Sequence, residues 1–317
     1  MKLPLQVALI AALLAPLVHA ETVSFGLFGD TPYNHWERQH LPELIGEMDR
    51  EELAFVIHDG DIKSGSSECS DTTFLDILGV FQNSKHPLIY VPGDNEWTDC
   101  HRRSNGSYDP LERLAKLRGL FFADEFTLGQ RKLALERQSL NPSFAAYREN
   151  VRWEAAGVLF VGLNLTGSYN NFHGATGGGP SPEFLARSAA NRDWLAQAFA
   201  RARNRKLAGL LVVIQGNPEF HAANSGRPAT GYGEFIAQLR RETMEFPGQV
   251  VLVHGDTHQQ RVDQPLVNPD TGETVRNFTR VETFGSPSFG WVKASIDPAN
   301  PRLFRFEPRV FARPRLQ

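Results

Sequence analysis

Three times in its first hundred residues this chain runs an apolar segment straight into a glycine and an aspartate: Phe28-Gly-Asp30, His58-Asp-Gly-Asp61 and Val91-Pro-Gly-Asp94. A fourth such turn comes late, at Val253-His-Gly-Asp256-Thr-His258. A carboxylate placed straight after a buried strand, with glycine beside it so that the backbone can turn, sits at the strand's carboxyl edge, where open α/β sheets bind ligands. Several such turns can converge on one metal site if their strands run parallel. That requirement points to an α/β fold with one shared acidic edge.

The segments between the turns fit this frame. Residues 23–28 alternate as a first strand, a polar loop follows over 31–40, and Leu41, Leu44, Ile45 and Met48 fall at helical spacing up to about Leu53. Residues 53–58 and 88–91 are continuous apolar runs of the kind buried in mid-sheet. Ser70-Asp71 offers an N-cap and a first-turn acid for a helix to about Phe81, and Asp109-Pro110 starts another that runs to Phe122.

Farther on, residues 144–148, 151–154 and 158–163 read as short antiparallel strands, the start of a second sheet. The longest helical pattern covers 183–203, a buried strand over 210–214 ends at Gln215, and a helix over 232–246 precedes a strand over 250–253. Strands close the chain through Phe306. The glycine-rich stretch 174–182 lacks the Lys-Ser/Thr of a P-loop and is given no phosphate-cradling role.

Composition adds three limits. Met1-Lys2, the apolar run from Leu5 to Leu17 and Val18-His19-Ala20 read as a signal peptide over residues 1–20, its apolar stretch shorter than the roughly 20 residues of a spanning helix. One domain over 21–317, periplasmic or secreted and without a membrane anchor after cleavage, is the expectation. The two cysteines would then meet an oxidising compartment, and a Cys69–Cys100 disulfide would fasten the turn of Asp61 to that of Asp94. A formal net charge of −3 gives no electrostatic footprint for a nucleic-acid polymer or an anionic lipid surface.

The ordered set of Gly-Asp, Gly-Asp, Pro-Gly-Asp-Asn-Glu, a helix with Asp193-Trp-Leu195 before another strand, and then Gly-Asp-Thr-His resembles the calcineurin-like metallophosphoesterases over about residues 23–297. The resemblance implies a four-layer α/β/β/α sandwich with two metal ions between the loops and a small phosphoester substrate. Asp30 would bind the first metal and Asp61 would bridge both. Asp94 stands where the family has an asparagine ligand of the second metal, while Asp256 and His258 fall at the two histidines of its Gly-His-x-His. Gln215 takes the place of another ligand histidine, with Asn217 an alternative in a shifted register and His221 a nearby imidazole. The family's Asp-x-His reads Asp30-Thr-Pro32 here, which leaves Tyr33 or His35 to complete the first set. Asn95 occupies the seat of the catalytic histidine.

A donor set rich in carboxylate and poor in imidazole favours Mn, Mg or Ca over Zn. Two such cations would activate a bridging hydroxide for in-line attack on phosphorus. Asn95 can hydrogen-bond a phosphoryl oxygen but cannot protonate a leaving alcohol, so either His101 or His58 supplies the proton or leaving groups of low pKa are preferred. Two other readings stand beside the enzyme: a binding module or pseudoenzyme that keeps the fold without turnover, and a single structural calcium. Aspartates also cap turns with no ligand at all.

Overall fold

The computed structural model describes residues 22–227 and 230–312; the leader assigned to residues 1–20 lies outside them. In chain order the strands are β1 (Val23–Phe28), β2 (Val56–His58), β3 (Leu88–Tyr90), β4 (Glu136–Arg137), β5 (Val151–Ala155), β6 (Val158–Gly162), β7 (Gly209–Val213), β8 (Gln249–His254), β9 (Arg261–Asp263), β10 (Phe278–Glu282), β11 (Gly290–Ile296) and β12 (Phe304–Val310). They form two sheets, β12-β11-β1-β2-β3 and β4-β5-β6-β7-β8-β10-β9. Within the first, β1, β2 and β3 are parallel, and within the second so are β6, β7, β8 and β10.

Five longer helices cover the outer faces: α1 (His35–Asp49), α2 (Asp71–Gln82), α3 (Pro110–Phe121), α4 (Pro182–Asn204) and α5 (Gly233–Glu245). Their starts are set by short polar side chains that satisfy otherwise orphan N–H groups. Asn34 accepts from Glu37 N at 3.0 Å, Ser70 from Thr73 N at 3.3 Å and Ser181 from Phe184 N at 3.1 Å. Asp109 caps α3 ahead of Pro110.

Three apolar layers show how these pieces stack. Leu41, Leu44, Ile45 and Met48 of α1 pack with Phe74, Leu114 and Leu117 over one face of the first sheet. Phe25, Leu27, Phe55, Ile57, Phe160, Val213, Val253 and Val292 fill the space between the two sheets. Trp194, Leu195 and Phe199 of α4 and Ile236 and Leu239 of α5 pack on the far side of the second. The expected α/β/β/α sandwich is therefore observed, with each strand's period-2 alternation dividing its side chains between two interfaces. Burying one such leucine contributes about 1.5–3 kcal/mol.

Two local expectations are corrected. The loop expected over 31–40 ends early, because the Asn34 cap starts α1 at His35. Residues 144–148 are not a strand: Asn141 caps a short 3-10 turn at Pro142–Phe144, and β4 takes the edge position beside β5 instead. Cys69 and Cys100, both fully buried, are joined in a disulfide with Cα atoms 5.8 Å apart, which ties the loop after β2 to the loop after β3. Among the described residues no helix is long and apolar enough to cross a membrane.

Candidate metal centre

The parallel strands of both sheets end at one edge, and the four aspartates gather there. Asp30 follows β1, Asp61 follows β2, Asp94 follows β3 and Asp256 follows β8. Glycine serves these turns differently from the expectation. Besides Gly60 (φ 106°), the positive-φ residues of these turns are Asp30 (φ 46°), Asp61 (φ 59°), Asp256 (φ 73°) and His258 (φ 59°), so the candidate site side chains themselves carry strained backbone. The glycines instead leave room. A Cβ on Gly255 would lie 2.0 Å from Asp30 Oδ2, and one on Gly167 would lie 2.5 Å from Asp94 Oδ1 and 2.7 Å from Asp256 Oδ1.

Asp61 is the most heavily bonded of the four. Its Oδ1 accepts from Asn95 N at 3.0 Å, and its Oδ2 accepts from Asn95 Nδ2 at 2.6 Å and the Tyr33 hydroxyl at 2.5 Å. Its own N–H donates to Glu96 Oε1, which also receives Gly93 N and the Tyr90 hydroxyl and so couples the β2 and β3 turns. Asp30 Oδ2 accepts from Asp256 N at 2.9 Å, and Asp30 Oδ1 faces His258 Nε2 at 3.5 Å. His258 is oriented from behind by the carbonyl of Ser286 at its Nδ1, 2.7 Å away. Asp94 Oδ2 accepts from Ser168 at 2.8 Å, and Asp256 Oδ2 accepts from Asn217 N at 3.0 Å.

The electrostatics are those of a crowded acidic pocket. Burial raises the Asp61 carboxyl well above its usual range, and the charges of Asp94 and Glu96 push the same way. Burial, with Asp94 beside it, lifts Asp256 to about 8 and Asp99 to about 7. Burial also raises Asp30, against the pull of His258. For His258 burial acts downward, but the hydrogen bond and charge of Asp30 outweigh it and hold the imidazole at about 9. Like charges held this close out of water are stabilised by cations placed among them.

Does this donor set fit a metal? Asp94 Oδ1 is buried with no hydrogen-bond partner. Beside it, Asp256 Oδ1 shares the space over Gly167 that a Cβ would fill. A bare carboxylate oxygen in a cradle kept free of side chains suits a hard cation. Among the described residues, no three His, Cys, Asp or Glu side chains are drawn tightly around a common point. Two pairings result, Asp30 with His258 and Asp94 with Asp256.

The remaining expectations meet varied outcomes. Tyr33 lies at the centre, bonded to Asp61, with Asn95 Nδ2 donating to its hydroxyl at 2.8 Å, whereas His35 is exposed. Gln215 is buried, but its Oε1 accepts from Gly167 N at 2.6 Å and its free side is the unpartnered Nε2, a donor and not a ligand. Asn95 spends both side-chain N–H groups on Asp61 and Tyr33. His101 is exposed and bonds the carbonyl of Thr98 in its own turn. His58 is fully buried between Phe28 and Phe81, accepts from Gly60 N at its Nδ1, and burial depresses it to about 3, so it is a neutral residue that braces the turn.

Several site residues gave weak sequence signals. Glu96 closes the Pro92-Gly-Asp-Asn-Glu run. Asp59, whose carboxylate takes the Thr283 hydroxyl, precedes Gly60-Asp61. Ser168 bridges Asp94 and Asp99, and Asp99 pairs with the half-exposed Arg102 at 2.6 Å. Only the three-dimensional path of the loop after β6 reveals Ser168.

Two stacked sheets flanked by helices, with acidic turns converging on one edge, are a fold that the chain shares with metallo-dependent phosphatases. Among solved structures the chain is similar to a dimetal phosphatase from Danio rerio, at 13% identity over 91% of this chain and 96% of that one, with a TM-score of 0.55. It is also similar to PhoD (12% identity, 90% and 65%, TM-score 0.51) and to a 5'-nucleotidase precursor from Thermus thermophilus (11% identity, 92% and 54%, TM-score 0.50). The chain thus spans about half the length of the nucleotidase. No protein-family model and no curated protein matches it.

Proposed function

We propose that this chain is an exported, metal-dependent hydrolase of small phosphoesters. The observation that carries the reading is the unpartnered, buried Asp94 Oδ1 beside Asp256 Oδ1 at the edge where Asp30 and Asp61 also arrive. Asp30, Asp61 and His258 would hold one cation, with Tyr33 beside them, and Asp61, Asp94 and Asp256 the other. When bound, two hard divalent cations, Mn, Mg or Ca in preference to Zn, would activate water and neutralise the charge on the phosphoryl group.

The chain's own residues prepare that site. Asn95 and Tyr33 fix the Asp61 carboxylate, and the Ser168 hydroxyl fixes Asp94. Glu96 keeps two turns in register, and the Cys69–Cys100 bridge pins their loops. Arg102 adds a half-exposed cation at the rim, suited to an anionic substrate. Export is supported by the leader-like residues 1–20 and by the disulfide, which suits an oxidising compartment.

A second reading, a module that binds metal or ligand without turnover, is favoured by Gln215, which offers a donor where the resemblance has a ligand. Metal analysis of the purified chain together with turnover of 4-nitrophenyl phosphate separates the two. Two equivalents of metal and activity that Asp61→Asn reduces by about three orders of magnitude support the hydrolase, the scale expected when transition-state charge loses its main support. Metal bound with no turnover, or turnover indifferent to Asp61→Asn, overturns it.

A further inference from the structure

Next to the carboxylates lies a cavity of about 510 Å³ that the proposed chemistry does not use. It is bounded by the loop after β6, the first turns of α4 and the start of α5. Its volume is in the range of cavities that enclose small organic ligands.

Its wall toward the metal centre is a single turn of unusual backbone. Ser168, Tyr169, Asn170 and Asn171 all have left-handed φ, at 48°, 55°, 54° and 54°. Each such residue costs roughly 1–2 kcal/mol, so the turn persists only because its surroundings hold it. The holder is Arg187, a fully buried guanidinium that donates to Asn164 O, to Asn170 O and to Asn170 Oδ1, and that pairs with Glu183. Gly167 begins this stretch between Asp94 and Asp256, Ser168 bonds Asp94, and Asn170 lines the cavity. The two ends, Gly167 and Asn170, are three positions apart, no more than about 11 Å between Cα atoms.

The lining states what the cavity prefers. Its buried amides are already spent on the protein: Asn191 donates to Asn164 O and accepts from Asn150, and Gln238 donates to Arg192 O. Asn170 bonds Gly231 O and Arg187. The lining guanidinium of Arg192 pairs with Glu234. What remains to meet a ligand is mainly the apolar surface of Leu165, Phe172, Phe184 and Phe235, with the polar side chains of His173, Ser188 and Thr230 between them. A lining that is mostly apolar surface favours an apolar ligand group, because a strongly polar one would lose more hydration than the few polar side chains could replace.

We infer that this cavity receives the alkyl or aryl part of the alcohol in the substrate ester, while the phosphoryl group sits at the carboxylates. This rests on the hydrolase reading, and the test separates the two. Full-length protein is assayed with ethyl phosphate and, below its micellar concentration, n-octyl phosphate, whose leaving alkoxides are alike. In parallel, binding of 1-naphthol is followed by its fluorescence. Ser188 also lines the cavity, so Ser188→Trp should fill it, with Ser188→Leu as a smaller change and circular dichroism as the check on folding.

The expected result is kcat/KM for the octyl ester about tenfold or more above the ethyl ester. Naphthol should saturate at one site, both effects should be lost in the folded Ser188→Trp variant, and ethyl phosphate turnover should change by less than about twofold. Equal kcat/KM for the two esters, or naphthol binding that survives in Ser188→Trp, overturns the inference. One-site naphthol binding abolished by Ser188→Trp, with neither alkyl ester nor 4-nitrophenyl phosphate hydrolysed, upholds an apolar ligand cavity and removes the hydrolase reading.

Discussion

Asn95 holds Asp61 at both oxygens: its backbone N–H lies 3.0 Å from Oδ1 and its side-chain Nδ2 lies 2.6 Å from Oδ2. On the hydrolase reading, the residue that the resemblance sets in the place of a catalytic histidine would therefore position Asp61. It has no proton to give, and the second N–H of its amide is taken by Tyr33.

Hydrolysis should accordingly depend steeply on the leaving group. General acid catalysis is worth roughly 10²–10⁴-fold, and its absence penalises alkoxides far more than nitrophenolates. A plot of log kcat/KM against leaving-group pKa for substituted phenyl phosphates and ethyl phosphate should fall strongly. A flat plot would reveal a proton donor that this geometry lacks. Asn95→Ala should cost about 10–100-fold through misplacement of Asp61, the usual loss when a partner that orients a ligand is removed.

Gly167→Ala tests whether the open cradle matters. The added methyl meets Asp94 Oδ1 at 2.5 Å and Asp256 Oδ1 at 2.7 Å, so the carboxylates must separate. Affinity for one of two manganese ions should drop by about 10–100-fold in calorimetric titration, with the thermal midpoint little changed. Gly79→Ala, on the open face of α2 with nothing within 4 Å of the new Cβ, is the control. It should leave metal binding intact and stabilise the helix by about 0.5–1 kcal/mol. Equal metal affinity in both variants would show that the cradle holds nothing.

The contrast between these two glycines marks what the sequence could disclose. Gly-Asp after an apolar run locates the strand ends, because a buried strand and its acidic turn are both local patterns; hence β1 matches residue for residue and the four aspartates converge as expected. The direction in which Gln215 turns its amide is decided by Gly167, 48 residues earlier in the chain, and no local pattern carries that. Ser168 is hidden for the same reason: its partners Asp94 and Asp99 lie on another loop. Residues 144–148 misled because Phe144 and Tyr147 are aromatic residues common in strands, whereas the cap from Asn141 and the ring of Pro142 direct a turn.

Reduction should loosen the centre before it unfolds the protein. The Cys69–Cys100 bridge closes a loop with a sequence separation of 31, worth roughly 3–4 kcal/mol on the chain-entropy estimate. Cys69→Ser/Cys100→Ser should lower the urea midpoint accordingly. It should also weaken metal binding, because Asn95 O accepts from the buried Lys63 beside the same two cysteines. Unchanged metal affinity in the double variant would confine the bridge to a global stabilising role.

Acid stability offers a test that needs neither metal nor substrate. His58 is fully buried, its Nε2 against Thr31 O at 3.3 Å and its ring against Phe28 and Phe81. Burial pulls its pKa from 6.5 to about 3, against a smaller upward push from the Thr31 carbonyl. The unfolded chain thus takes up this proton near pH 6.5, and the folded chain takes it up only near pH 3. Between those values the unfolded state binds more protons, so stability falls as the pH falls, by about 1.4 kcal/mol per unit from this group, and above 6.5 the group contributes no pH dependence. The raised carboxyls at the centre act with the opposite sign, but they do so equally in wild type and in His58→Leu. The difference between the two proteins in urea unfolding at pH 7, 6 and 5 therefore isolates the histidine. It should shift against the wild type by about 1.4 kcal/mol for each unit below 6.5, and parallel pH profiles would show that His58 takes up its proton inside the fold.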